Sequence, residues 1–144
     1  MAETEMMTRG YGIGDLAVGM SAEYSRKVSD QDIERFAALS GDDNPVHLDD
    51  EYANASMFKG RIAHGMLSAS FISTIFGTRL PGPGAIYLSQ TLKFKAPVRP
   101  GDVVDATVEI TAIDRDRRRV SFACVCRVDG GTVLEGEALL LVPA

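Results

Sequence analysis

The spacing of apolar residues changes near residue 81. Before it, Ile33, Phe36 and Ala37 follow the spacing of an amphipathic helix, and residues 65–80 are rich in Met, Leu, Ala, Phe and Ile with no charge until Arg79. After it come apolar, β-rich runs that are typical of strands. These four runs are 85–95, 102–114, 118–128 and 132–142. The pattern therefore predicts one amphipathic helix, one buried helix and a β-rich second half.

The boundaries of the first helix are marked by its sequence. A short strand is expected over 23–28, and Ser29 followed by Asp32 resembles the capping box that opens a helix. Gly41 favours a left-handed helix end, because glycine adopts that conformation without strain. A polar loop over 41–47 is expected to follow.

A helix that is apolar on nearly all sides needs broad cover, and a curved antiparallel sheet wrapped around it supplies that cover. We therefore expect an α+β fold with a single hot-dog domain over 22–144, preceded by a loosely ordered N-terminal segment, 1–21. The edge strand of such a sheet would be exposed in a monomer. Pairing with a second copy removes this exposure, so we expect a homodimer.

Composition narrows the function classes. The 144 residues are 45% hydrophobic, yet no apolar run reaches the roughly 18 residues of a membrane span, and the first residues lack the features of a secretion signal. The net charge of −5 offers no general attraction for nucleic acid. Cys124 and Cys126 lie two apart in an apolar run and are expected to be reduced core residues, which favours a cytoplasmic location.

Asp42 and His47 place a carboxylate and an imidazole on one short loop, where they are able to converge on a water molecule as general acid and base. A structural alternative is equally compatible with the residues. In that interpretation Asp42 and Asn44 form an Asx-type turn before Pro45, and His47 only caps a helix end.

The second histidine, His64, immediately precedes Gly65 at the predicted start of the buried helix. The first amide groups of a helix have no partners within it and favour negative charge, so the Gly65 amide is suited to stabilise the enolate oxygen of a thioester. The structural alternative is that the glycine allows close chain packing and that His64 is a satisfied core residue.

The segment FAALSGDDNPVH at 36–47 resembles the signature of the MaoC-like hydratases, specifically of the (R)-specific enoyl-CoA hydratases. Three further blocks follow in the family's order and extend the resemblance over most of 25–142. These blocks are HGML at 64–67, IYLSQ at 86–90 and FKAPV at 94–98. Several ordered blocks are more specific than one short motif.

The resemblance places the family's catalytic pair on Asp42 and His47, with Asn44 orienting the loop. It places the thioester-binding glycine on Gly65 and a supporting serine on Ser73, and we include His64 as a further supporting residue. Ser73 has an alternative role, because helical serines often bond a carbonyl one turn back.

The reaction implied by the resemblance is reversible syn addition of water to a trans-2-enoyl-CoA, giving (R)-3-hydroxyacyl-CoA. An aspartate is normally ionised at neutral pH, whereas a histidine titrates there, so we expect Asp42 to bind and deprotonate water and His47 to donate the second proton. The opposite assignment stays open. No metal is expected, because the thioester acidifies the α-position and an amide-based oxyanion site is able to hold the enolate. No separate cofactor is expected, because coenzyme A belongs to the substrate.

The resemblance also implies sites for both ends of the substrate, with short to medium acyl chains as the first expectation. The residues expected to line an acyl channel are Met66, Leu67, Phe71 and Leu88, although core packing is an alternative role for each. The candidate contacts for the nucleotide, unless they are only solubilising, are Lys93, Lys95 and Arg99. For the hydratase, the resemblance implies a supply of hydroxyacyl units to storage polyester or other thioester metabolism. The alternative functions are dehydration of 3-hydroxyacyl-carrier-protein or of branched 3-hydroxyacyl-CoA, and a non-catalytic acyl-binding subunit.

Overall fold

The computed structural model describes residues 9–144 and confirms the α+β hot-dog fold. Strand β1 (Ser21–Lys27) precedes helix α1 (Asp30–Ser40), and two short helices, α2 (Pro45–Leu48) and α3 (Asp50–Ala55), come before the long helix α4 (Gly65–Thr78). Five strands complete the chain. They are β2 (Ile86–Gln90), β3 (Lys93–Phe94), β4 (Val103–Asp114), β5 (Arg119–Val128) and β6 (Gly131–Leu141).

All described strands form one antiparallel sheet in the order β1-β4-β5-β6-β2, and β3 also pairs with β6. Helix α4 packs against β1, β4, β5 and β6. The core lies between helix and sheet, where Ile72, Ile75 and Phe122 are almost completely buried. Removing large apolar side chains from water is the main favourable term in folding, so this contact holds the N-terminus of α4 in place.

The run predicted as one strand over 85–95 is divided into β2 and β3 by a close approach to β6. A Cβ atom on Gly136 would lie 1.8 Å from the Thr91 carbonyl oxygen, so only glycine fits beneath this bend. The Glu137 N–H donates to the Thr91 hydroxyl at 3.0 Å, and the Thr91 N–H donates to the Glu137 carbonyl at 2.8 Å. The ladder is interrupted at that point.

The polar loop predicted to run to His47 ends earlier, because Asn44 caps α2 and Pro45 occupies its first turn. Proline suits the first turn of a helix, because its fixed φ angle is close to the helical value. The N–H that proline lacks would have no carbonyl partner at this position in any case. His47 therefore lies in a helix. The capping box of α1 is present as predicted, with reciprocal 3.0 Å hydrogen bonds between Ser29 and Asp32.

Part of the N-terminal segment that we expected to be loosely ordered is docked on the domain. Residues 1–8 lie outside the described residues. The Tyr11 and Ile13 amides donate to the carbonyls of Pro81 and Pro143 at 2.7 and 2.8 Å, and Leu16 is buried. The Arg115 guanidinium also donates to two carbonyls of this segment.

Cys124 and Cys126 are free and buried, as predicted for core residues. Burial raises the pKa of the Cys124 thiol to about 11 and that of Cys126 to about 12, so both stay protonated at neutral pH. Within residues 9–144, no helix combines the length and apolar character that crossing a membrane requires.

Candidate active site

The turn between α1 and α2 is built by local hydrogen bonds around Asp42. Gly41 adopts a left-handed conformation with φ of 82° and donates its N–H to Ala37, which ends α1. The Ser40 hydroxyl accepts the Asp42 N–H at 3.2 Å. These contacts turn the chain sharply and leave the Asp42 side chain exposed beside the helix end.

Asn44 completes the turn. Its Oδ1 accepts the Val46 N–H at 3.1 Å, and its own N–H donates to Asp42 Oδ1 at 3.3 Å. The Asx-type turn of the structural alternative is therefore present. It uses only one carboxylate oxygen, and Asp42 Oδ2 has no hydrogen-bond partner within the described part of the chain.

His47 is 8% exposed and is held by a main-chain carbonyl. Its Nδ1 lies 2.7 Å from the Ile62 oxygen, and because a carbonyl only accepts, Nδ1 carries the hydrogen. In the neutral ring Nε2 therefore presents its lone pair. The contact exceeds a helix-capping role, since it joins α2 to the segment that leads into α4.

His64 is 3% exposed and stacks on His47, with ring centroids 3.8 Å apart and planes inclined by 24°. Its Nε2 lies 2.9 Å from the Asp42 carbonyl oxygen, so Nε2 is the protonated nitrogen. His64 Nδ1 is buried without a hydrogen-bond partner. His64 thus supports both members of the predicted pair. It donates a hydrogen bond to the backbone carbonyl of Asp42 and stacks on the ring of His47.

One ligand atom from each of Asp42, His47 and His64 lies within 4.8 Å of the other two. A cluster of one carboxylate and two imidazoles has the composition of a metal site. The lone pair of an imidazole nitrogen lies in the ring plane, and stacked, nearly parallel rings direct their lone pairs along separate planes. The arrangement suits proton transfer better than a shared ion.

Gly65 is the first residue of α4, and its amide belongs to the group that lacks a carbonyl partner one turn earlier. The Phe94 ring covers it so closely that a Cβ atom would lie 2.5 Å from the ring. A side chain at this position would displace the Phe94 ring, so close packing favours glycine here, in line with the structural alternative. The same glycine leaves its N–H at the positive end of a 14-residue helix.

Two cavities flank this helix end, and Met66 lines both. The Phe94 cavity has a volume of about 480 Å³ and is lined by Phe94, His64, Gly65, Ser68 and Lys95, among others. The Ser73 cavity has a volume of about 520 Å³ and is lined by Ser73, Phe36, Ser70, Tyr87 and Leu88, among others. Asp42 and His47 line neither cavity, but both contact His64, which lines the Phe94 cavity.

The expected acyl-channel residues are only partly brought together. Met66 and Leu88 line the Ser73 cavity, whereas Leu67 and Phe71 are buried and border a smaller depression beside α1. Ser73 faces the cavity and is not among the α4 hydroxyls that bond a carbonyl one turn back. The hydroxyls that do so are those of Ser70, Thr74 and Thr78.

The three candidate contacts for the nucleotide also lie in different surroundings. Lys95 lies at the Phe94 cavity, 3.5 Å from Glu135. Lys93 lines a different cavity together with Glu109 and Arg127. Arg99 donates to the Phe58 carbonyl and so has a structural role.

Sequence reasoning identified His64 and Gly65 but missed Arg61, Ile62 and Ser68 in the same stretch. Arg61 forms ion pairs with Asp30 and Asp50, at 2.5 and 2.8 Å, and so joins the segment that contains Ile62 to α1 and α3. These partners are 31 and 11 residues away, so no local motif links them. The buried hydroxyl of Ser68 has no hydrogen-bond partner. In the sequence, this serine is distinguished only by its position one helical turn after His64.

Comparison with known proteins agrees with this geometry. The MaoC-like domain family matches residues 16–129. The chain is 55% identical over 130 residues to an (R)-specific enoyl-CoA hydratase of Rhodospirillum rubrum, covering 90% of each chain. It is 49% identical over 129 residues to a 3-hydroxybutyryl-CoA dehydratase of Methylorubrum extorquens, covering 90% of this chain and 82% of the relative.

A solved structure is similarly close. The (R)-hydratase of A. caviae involved in PHA biosynthesis superposes with a TM-score of 0.86 and 42% sequence identity. The superposition covers 89% of this chain and 98% of that protein.

Proposed function

Since the chain belongs to the MaoC-like family, we propose that it is an (R)-specific enoyl-CoA hydratase that adds water reversibly to trans-2-enoyl-CoA. The observation that carries the proposal is the convergence of Asp42, His47 and His64 at the N-terminus of α4. A carboxylate and an imidazole at this position provide the two proton-transfer groups that hydration requires.

In the proposed mechanism the free Oδ2 of Asp42 takes a proton from the water that attacks the β-carbon. A protonated His47 delivers the proton on Nε2 to the α-carbon, while Nδ1 keeps its hydrogen bond to Ile62. The C–O and C–H bonds form on one face of the double bond, which makes the addition syn. A proton then returns from Asp42 to His47, directly or through a water molecule, and both groups regain their starting states.

Attack at the β-carbon moves negative charge onto the thioester oxygen. The Gly65 N–H lies at the positive end of α4, where it is suited to bind this oxygen in the transition state. We therefore assign no metal or redox cofactor to the reaction. The thioester and the helix end supply the required polarisation.

The Ser73 cavity is the proposed acyl site. Its wall combines apolar side chains with the Ser73 hydroxyl and contains no Lys, Arg, Asp or Glu, which suits an apolar chain. Burial raises the pKa of Tyr87, in the same wall, to about 12, so its phenol stays uncharged during turnover. Its volume of about 520 Å³ fits chains of short to medium length.

The proposed working state is a homodimer in a cytoplasmic compartment. Strand β2 is an edge strand, and Ile86 and Leu88 are 55% and 41% exposed on it. Pairing this edge with a second copy would satisfy its backbone groups and cover the apolar side chains. The two free thiols fit a reducing compartment. A monomeric mass by light scattering would contradict the dimer.

The test is the loss of enoyl-thioester absorbance when purified protein is added to crotonyl-CoA, with chiral analysis of the product. Wild-type protein should give the (R)-3-hydroxy product, and Asp42→Asn should lower kcat by about a hundredfold to ten-thousandfold. Asp43→Asn is the matched control, since it removes the neighbouring exposed carboxylate. Equal activity of Asp42→Asn and wild type would refute the site.

A folded wild-type protein that acts on no enoyl-CoA, short or long, would refute the proposed substrate class. Activity on a carrier-protein thioester alone would then identify the alternative dehydratase. Binding of acyl-CoA without turnover would identify a non-catalytic subunit.

A further inference from the structure

The IYLSQ block at 86–90 has no part in the proposed proton transfers, yet all but its first residue line the Ser73 cavity. We propose that Tyr87, held in place by Gln90, forms the end of the acyl site and sets the longest chain that the enzyme accepts. This inference rests on the proposed function and identifies two specificity-determining residues of the same site.

The placement of the two side chains depends on a bulge in β2. Successive residues of a regular strand point to opposite faces, so residues three apart would not share a face. In β2 the pairing with β6 shifts after Tyr87 and leaves Leu88 as an extra residue. Tyr87 lies opposite Leu140, and this β6 residue is buried. Gln90 lies opposite Ala138, which is also buried. Both side chains therefore share the face of the sheet that packs against α4.

Tyr87 lies at the end of the cavity that is far from Gly65. Its ring packs edge-on against Phe76, with centroids 5.1 Å apart and planes inclined by 80°. Phe76 lies about 16 Å beyond Gly65 along α4, at 1.5 Å per residue. The Phe94 ring covers Gly65, so the chain from 87 to 94 runs back along the helix toward its N-terminus. An acyl chain that starts at the Gly65 amide and enters the Ser73 cavity therefore extends toward Tyr87.

Hydrogen bonds hold the ring of Tyr87 at this end. The Tyr87 hydroxyl donates to Gln90 Oε1, and Gln90 Nε2 donates to the Thr91 carbonyl at 2.8 Å. Thr91 is itself placed by its close approach to Gly136, where the sheet bends between β2 and β3. The ring is thus supported by Phe76 on one side and by Gln90 at its hydroxyl. Turning it aside would break both contacts.

The end of the cavity is backed by packed core. Phe122 lies behind Phe76, with ring centroids 4.7 Å apart, and Cys124 Sγ lies 4.0 Å from Gln90 Oε1. A chain that passed Tyr87 would have to break the hydrogen-bonded pair or displace these side chains, and an unpaired buried polar group is costly. One methylene too many in a close-fitting pocket lowers kcat/KM by about tenfold to two-hundredfold. Chains that reach Tyr87 are therefore rejected.

The experiment compares three substrates that differ only in the acyl chain: crotonyl-CoA, trans-2-octenoyl-CoA and trans-2-tetradecenoyl-CoA. The measured quantity is the ratio of kcat/KM for tetradecenoyl-CoA to that for crotonyl-CoA, in which contacts to coenzyme A cancel. The wild-type protein should accept the first two substrates and give a ratio of 0.1 or less, about one methylene's worth of rejection. A wild-type ratio near one would overturn the proposal, because no end of the site would then act on the long chain.

Tyr87→Ala removes the ring and should raise this ratio at least tenfold. Tyr24→Ala is the matched control. Tyr24 of β1 also packs edge-on against a phenylalanine of α4, Phe71, with centroids 5.8 Å apart, but it does not line the Ser73 cavity. Its removal should leave the ratio at the wild-type value. An unchanged ratio in Tyr87→Ala, or an equal rise in Tyr24→Ala, would overturn the proposal. If circular dichroism shows that Tyr87→Ala is unfolded, Tyr87→Leu shortens the side chain while keeping an apolar group against Phe76.

Gln90→Ala keeps the phenol and removes its support. It should raise the ratio by about threefold, less than Tyr87→Ala, because one hydrogen bond is lost and the ring stays. An unchanged ratio in this variant would overturn the part assigned to Gln90. If the wild-type protein hydrates none of the three thioesters, the proposed function itself fails, whereas active variants with unchanged ratios refute only this inference.

Discussion

The two histidine segments, 41–48 and 61–65, show how one residue type is given two roles. Both rings are buried and both bond a main-chain carbonyl, but His47 uses Nδ1 and His64 uses Nε2. His47 therefore presents Nε2 to the site, whereas the unprotonated Nδ1 of His64 is buried without a hydrogen-bond partner. In each ring, the nitrogen that donates to the carbonyl carries the proton. The other nitrogen is therefore the one available for chemistry or binding.

The largest effect is expected from removing the reactive nitrogen. His47→Gln replaces the imidazole by an amide that neither gives nor takes a proton at neutral pH. We expect kcat for crotonyl-CoA to fall by about a hundredfold to ten-thousandfold. Circular dichroism should show a folded protein. A kcat within a fewfold of the wild-type value would show that His47 does not transfer the proton, and the proposed difference in role between the two histidine segments would be wrong.

The second prediction separates the two contacts of His64. Phenylalanine keeps a ring for the stack on His47 but loses the hydrogen bond, whereas glutamine keeps an N–H for the Asp42 carbonyl but loses the ring. We expect His64→Phe to lower kcat by roughly tenfold to a hundredfold, because small displacements of a catalytic group are costly. His64→Gln should lose less.

The reverse order, with His64→Gln slower than His64→Phe, would assign the main effect to the stack. Measuring KM beside kcat distinguishes either result from lost substrate binding. A loss of folding in both variants, seen as a lowered Tm, would show that His64 acts through the stability of the domain.

Gly65→Ala tests the helix end of the second segment. The added methyl group would lie 2.5 Å from the Phe94 ring, so we expect the free energy of unfolding to fall by about 1–3 kcal/mol. Adding Phe94→Leu should restore this stability in urea titrations. A kcat that stays low in the stable double variant would support the thioester role, whereas full recovery would favour packing alone.

The smallest effect is expected at Arg61, which joins the second segment to α1 and α3. Its partners Asp30 and Asp50 are 57% and 78% exposed at their side chains, and exposed ion pairs contribute little. Arg61→Met should therefore lower the free energy of unfolding by about 1 kcal/mol or less, measured by urea titration. A much larger loss would indicate that the segment depends on these ion pairs.

Much of the fold could be predicted from the sequence, because the long elements have strong local patterns. The apolar stretch at 65–80 and the later β-rich runs correspond to α4 and strands β4 to β6. The break between β2 and β3 could not be predicted. It depends on contact between Thr91 and Gly136, which are far apart in sequence and come together only through strand pairing.

The candidate site likewise contains residues that could be predicted from a local motif and supports that could not. The short motif containing Asp42 and His47 was sufficient to propose the catalytic pair. Its supports are long-range, because Ile62 lies 15 residues from His47 and His64 lies 22 residues from Asp42. Ser68 escaped notice because a serine in an apolar helix has no distinguishing local pattern, and only the lack of a partner marks it.

The carbonyl anchors of the two histidines have a consequence for how the sequence is free to diverge. Both anchors belong to the backbone, so exchanging the side chain of Ile62 for another of similar shape leaves the proton arrangement of His47 unchanged. Asp42→Asn likewise retains the oxygen that holds His64. Lineages are therefore able to alter the surrounding side chains, and with them substrate preference, while the identity of the protonated nitrogen on each ring is inherited.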